Sequence, residues 1–142
     1  MLRLLILLLL TSCVCAEPAE LLQTAQEFRR LRQIKGHFKG GTWDKEVDSA
    51  QGAKGHLMGE LGQALGKGDS TEERVLELMG PPDDVVKPGS LTWHMIRSVH
   101  SGQTRLGTHA LLYEWRGRHD FLFFMCDDRG RVMHSDWWAA LE

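Results

Sequence analysis

Cysteine, proline and tyrosine are scarce in this chain, with 3, 4 and 1 in 142 residues. Two of the cysteines, Cys13 and Cys15, fall in an apolar N-terminal stretch, which leaves Cys126 alone in the remainder. That excludes a disulfide framework in any redox compartment. A lone cysteine inside "DFLFFMC" reads as a small buried hydrophobe, not a nucleophile. A surplus of positive charge is also lacking. The formal net charge is -2, so nothing points to nucleic acid as a partner. Long hydrophobic runs are missing: the run Leu4 to Leu10 falls far short of the about 20 residues a membrane-spanning helix needs. There is no G-x-S-x-G, H-x-x-x-H or C-x-x-C spacing, so neither a nucleophile turn nor a local zinc motif is present.

What is present starts with the leader. "MLRLLILLLLTSCVCAEP" has one arginine, a short apolar run and then small residues. This is the layout of an export signal over residues 1–16. Two processing sites are open. Cleavage after Ala16 leaves Glu17 first, whereas "LTSC" resembles a bacterial lipobox, in which Cys13 would be lipidated. The expected location is exported, either periplasmic or secreted, or else the outer membrane as a lipoprotein.

Residues 17–69 read as a helical region with a Gly-rich loop. In "PAELLQTAQEFRRLRQIK" Leu21, Ala25, Phe28 and Leu31 recur at helical spacing, with Pro18 suited to the first turn. Arg29, Arg30, Arg32 and Lys35 gather near its end, where they oppose the helix dipole and read as a solvated face. Residues 36–55 lack periodicity and are rich in glycine, as in loops that carry function or await a partner. A glycine-bearing helix follows, with Leu57, Met58, Leu61 and Leu65 on its apolar face. Gly59 and Gly62 weaken it by about 1 kcal/mol each but permit close packing.

Residues 70–142 read as an α+β domain, and residues 17–142 as one folded unit. "STEERVLELMGPPDDVV" is a helix with Ser70 and Glu73 as a capping box, Gly80 as the stop, and prolines that prevent continuation. A phosphate loop would need its glycine before the helix, not after it. Asp83 and Asp84 read as turn formers. "SLTWHMIRSV" alternates Leu91, Trp93, Met95 against Thr92, His94, Ile96, which predicts a first strand. "ALLYEWRG", "DFLFFMC" and "RVMHSDWW" predict an antiparallel meander whose middle strand is covered on both faces. The expected fold is α+β, with two or three helices on one face of a three- or four-stranded antiparallel sheet.

The aromatic side chains carry the best functional claim. Tyr113, Trp115, Phe121, Trp137 and Trp138 lie on adjacent predicted strands, and consecutive tryptophans point to opposite faces. One sheet face therefore either presents aromatics to a protein partner or is roofed by the 36–55 loop. His119, Asp120 and Glu114 form the competing enzymatic set, with His134 as an optional fourth member, although cross-strand ion pairing explains the same residues. A site assembled from His94, His119 and His134 across the sheet is the metal alternative, but separate surface histidines explain them more simply. No cofactor and no metal is expected.

The helix end "VLELMGPPDDVV", the strand "LLYEWRG" and the closing "GRVMHSDWW" together resemble the SmpA/OmlA (BamE-like) class of outer-membrane assembly lipoproteins. The shared features fall on Leu78, Gly80, Pro82, Asp83, Tyr113, Trp115, Gly130 and Val132, within roughly residues 70–138. Residues 17–69 lie outside the resemblance. It implies helices on a small antiparallel sheet, no catalysis, and a role in binding other proteins. The same layout resembles the repeat unit of secreted β-lactamase inhibitor proteins. The expected function is a non-catalytic exported protein-binding domain, a membrane-assembly or scaffold lipoprotein, with a secreted enzyme inhibitor or a small enzyme as the alternatives.

Overall fold

A computed structural model describes residues 18–99 and 107–140. The leader, Cys13 with its lipidation and most of the predicted 101–108 connection lie outside the described residues. In order the chain forms α1 (Ala19–Arg32), a 3-10 turn (His37–Lys39), α2 (Lys45–Asp48), α3 (Ala53–Leu65), α4 (Glu72–Met79), β1 (Asp84–Val86), α5 (Leu91–Val99), β2 (His109–Glu114), β3 (Asp120–Cys126) and β4 (Val132–Ala139). The four strands make one antiparallel sheet in the order β1-β2-β3-β4. The fold is α+β. No helix among the described residues is long and apolar enough to cross a membrane.

α1 buries Ala25, Phe28 and Leu31, three residues apart and hence on one face. Its basic end does more than face solvent. Arg29 donates to the carbonyls of Glu77 (2.9 Å) and Leu78 (3.0 Å), and Arg32 to those of Met79 (2.9 Å) and Pro81 (2.8 Å). α1 therefore caps the otherwise unsatisfied carbonyl end of α4. At the other end of α4 the cap is Thr71, not Ser70: its Oγ1 accepts from the Arg74 N–H at 3.1 Å. Ser70 is diverted because its carbonyl accepts the Val132 N–H at 3.0 Å, tying the chain to β4. Gly80 stops α4 as expected, with φ 79° and ψ -175°. That region is open essentially to glycine alone.

α3 lies close to the sheet because its glycines allow it. A Cβ on Gly62 would sit 2.9 Å from Leu122 Cδ1, and one on Gly55 would sit 2.6 Å from the Trp115 ring. α1, α3 and α4 share a core with one face of the sheet, through Leu111, Tyr113, Leu122, Phe124, Cys126 and Val132.

The other face departs from expectation. Residues 91–99 are the helix α5, not a strand, and the fourth strand is the three-residue β1 instead. Alternation at Leu91, Trp93 and Met95 fits a strand, but Trp93 and Ile96, three apart, fit a helix equally well. Ser90 decides: its Oγ accepts the Trp93 N–H at 3.2 Å, starting a helix. Trp93 and Ile96 are buried while Leu91 is 77% exposed. α5 packs on Val86, Ala110, Leu112, Phe121, Phe123 and Met125. Helices thus cover both sheet faces, not one, and every residue of β3 is buried.

Candidate functional site

The 36–48 segment, which reads from sequence as a formless loop, is organised by one buried carboxylate. Asp48, 4% exposed, accepts the backbone N–H groups of His37 (2.9 Å) and Asp44 (2.8 Å). Asp44 in turn caps α2 by accepting from Glu46 (2.9 Å) and Val47 (3.2 Å). The clamped loop holds Phe38 and Trp43 outward, 37% and 61% exposed. Neither residue belongs to the aromatic set read from the strands. The available signal was compositional: a tryptophan between Gly-Thr and Asp has no apolar neighbours in sequence to be buried with.

Phe38 joins a ladder of rings and one cation at the β2–β3 hairpin. The Arg116 guanidinium carbon lies 5.7 Å from the Phe38 ring centroid and 4.5 Å from that of Trp115. Trp115 meets Trp137 edge to face at 5.8 Å. Trp115 Nε1 also donates to the Val47 carbonyl at 3.1 Å, so the loop folds over this end of the sheet. Arg116 is fixed from behind by Asp120, which accepts from its Nε at 2.6 Å.

The five strand aromatics therefore separate. Tyr113 and Phe121 are 0% and 1% exposed and cannot touch a partner while the chain is folded. Tyr113 is a core residue whose hydroxyl donates to the Gly80 carbonyl at 2.8 Å. Burial pushes that hydroxyl's pKa up, so it stays protonated and the bond persists. Trp115, Trp137 and Trp138 are half-buried. Trp137 packs toward the α1, α3 and α4 core and Trp138 toward the α5 core, on opposite faces as alternation requires. Trp138 stacks on Phe121 at 6.3 Å, so α5, rather than an open face, accounts for its surroundings.

The candidate acid/base set is already committed to ion pairs. Glu114 pairs with Lys39 (3.3 Å) and Arg118 (3.7 Å), and Asp120 with Arg116. Glu114 is the register partner of Phe121, the residue after Asp120, so alternation assigns the two carboxylates to opposite faces. His119 is exposed and meets Phe38 edge-on at 6.0 Å. His94 stands exposed on α5 and His134 lies against Phe123 on β4, so the three histidines do not converge. Asp83 gathers Arg32 (3.3 Å) and Lys39 (3.3 Å) and accepts the Glu114 N–H at 2.8 Å. Burial alone would raise its carboxyl pKa, but these partners outweigh burial and hold it below the usual range.

Lys54 is the unusual cation. It is 2% exposed and donates to the Trp115 carbonyl at 3.0 Å. Burial, then Lys39 and Arg32, lower its pKa from 10.5 to about 8. The folded chain thus holds fewer protons than the unfolded chain between those values. Stability should rise from pH 8 to 10.5, on the order of 2–3 kcal/mol, and be lost as pH falls through 8. The Cys126 thiol acts oppositely, since its pKa is raised from 9.0 to about 12 and costs stability across that window. Urea denaturation of Lys54→Met beside the wild type isolates the lysine. The variant should lack the rise, and identical pH profiles would refute this placement of Lys54.

A second cluster has no counterpart in the sequence reading. Ligand atoms of Glu72, His109 and Cys126 lie within 4.8 Å of one another. His109 and Cys126 are register partners across β2 and β3, and Glu72 opens α4 above them. His109 Nε2 faces Glu72 Oε2 at 2.9 Å, and Nδ1 lies 3.0 Å from Thr108 Oγ1. Strand register joins His109 to Cys126 and the packing of α4 on the sheet brings Glu72, so no sequence spacing announces them. One open groove, about 610 Å³, runs between α1 and α3 beside Leu21, Thr24 and Leu57. No family model, curated protein or solved structure matches the chain.

Proposed function

We propose that the protein is a non-catalytic, exported protein-binding domain, and that its contact surface is the clamped 36–48 loop with the ring and arginine ladder beneath it. The observation that carries this reading is Trp43, with 61% of its surface in water on a loop held by the buried Asp48. Tryptophan and arginine dominate binding hot spots, and a pre-ordered loop loses little entropy on association. Trp137 and Arg116 extend the same chemistry along the sheet end. Tyr113 and Phe121 belong to its support. The engaged carboxylates of Glu114 and Asp120 favour binding over acid/base chemistry. The resemblance to the SmpA/OmlA class supports a membrane-assembly or scaffold role, with Cys13 as the anchor.

The test is a photo-crosslinking side chain placed at residue 43, at 137, or at the control position 22, since Leu22 is also exposed, at 47%, but lies on α1. The expected result is one shared crosslinked species from positions 43 and 137 in cells, absent from position 22. Equal labelling from all three positions, or none from 43, would overturn the proposed surface.

A further inference from the structure

We propose that Glu72, His109 and Cys126 form a binding site for a single zinc ion, through a carboxylate oxygen, Nε2 and Sγ, with the fourth tetrahedral position open to water. The donor set suits this metal: thiolate, imidazole and carboxylate are its three protein ligand types. A His109–Glu72 ion pair explains two of the residues but not the third. The Cys126 sulfur lies within 4.8 Å of both ligand atoms, and its hydrogen-bond acceptor is the Phe124 carbonyl at a long 3.7 Å.

The surroundings favour a metal in three ways. Thr108 Oγ1 can take the Nδ1 proton, which turns the Nε2 lone pair toward Glu72 and Cys126. Charge also closes, because zinc balances one carboxylate and one thiolate, and a thiolate at a fully buried position needs such a counter-charge. Metal binding transfers the thiol proton to solvent and forms the sulfur–zinc bond in its place. Access runs past the partly exposed Glu72 and His109, whose side chains are 28% and 20% exposed. Tetrahedral ligation with bonds of about 2.0–2.3 Å sets ligand atoms roughly 3.3–3.7 Å apart. Glu72 Oε2 therefore has to back away from Nε2, now at 2.9 Å, while any wider gap in the cluster closes. Glu72, at the surface in the first turn of α4, can supply that adjustment by rotamer change.

The experiment titrates the full chain with Co(II) as a spectroscopic stand-in, then displaces it with Zn(II). One equivalent of Co(II) should give thiolate-to-metal charge-transfer absorption and the intense visible bands of a tetrahedral ion, and zinc should abolish both. Zinc at about a hundredfold over its dissociation constant should raise Tm by roughly 5–10 °C. Cys126→Ser should remove the charge-transfer band, and His109→Gln and Glu72→Gln should each weaken binding at least tenfold. The two latter residues are partly exposed, so their variants remain informative if Cys126→Ser does not fold. His56→Gln, at the exposed pair with Glu60, should change nothing. Three results would overturn the site: no charge-transfer band, a band that survives Cys126→Ser through Cys13 or Cys15, or an equal zinc-induced Tm rise in His109→Gln.

Discussion

Phe124→Ala should destabilise the protein by about 3–5 kcal/mol, a large part of the 5–15 kcal/mol typical of a domain. Phe124 is 0% exposed and lies in the middle strand. Its ring meets Tyr113 edge to face at 5.9 Å, within the core shared with α1, α3 and α4. Truncation would leave a cavity that rigid strand neighbours on both sides cannot close. Leu111 and Ser135 are fixed opposite it by register. The urea midpoint reports the loss, and the slope should stay unchanged if the folded state keeps its compactness. A cost below about 1 kcal/mol, the level of an ordinary surface change, would contradict this core.

Arg116→Ala should cost about 3 kcal/mol for a different reason. It removes the cation that compensates Asp120, whose side chain is 6% exposed. An uncompensated buried carboxylate typically costs about 3–5 kcal/mol, and the lower end applies because a quarter of the Arg116 side chain reaches water. The double variant Arg116→Ala/Asp120→Asn should be less damaging than the sum of the single changes. Additive losses would show that the pair is not coupled. The cycle also bears on the proposed surface. A partner-binding defect in Arg116→Ala counts only at temperatures where the variant remains folded.

The parts of the fold visible in the sequence are those where local pattern and global environment agree. β2, β3 and β4 announce themselves by leucine-rich and aromatic runs separated by Gly117 and Gly130, both at positive φ. α1 and α4 show single apolar stripes with proline and glycine at their ends. Residues 91–99 read as a strand because Leu91, Trp93 and Met95 fit period 2, while Trp93 and Ile96 fit the helical period, and the capping by Ser90 is visible only once the helix exists. β1 is three residues long, too short for any period, and is held by pairing to β2. The aromatic set was legible as a group but not by exposure. Whether Tyr113 or Trp137 faces water depends on what α1, α3 and α5 cover. The Asp48 clamp and the Glu72–His109–Cys126 cluster were illegible because each joins backbone or side-chain atoms from separate elements.

β3 separates two cores, one under α1, α3 and α4 and the other under α5. Phe124 serves the first and Phe123 the second, and all seven residues from Asp120 to Cys126 are buried. The strand has no neutral side on which drift can accumulate. A bulkier residue at an odd position presses on α5, whereas one at an even position presses on the three-helix layer. Repacking either side leaves the opposite side unrelieved. Surface positions of this protein can diverge independently, but along β3 tolerated change has to come as matched sets with the helix that faces it.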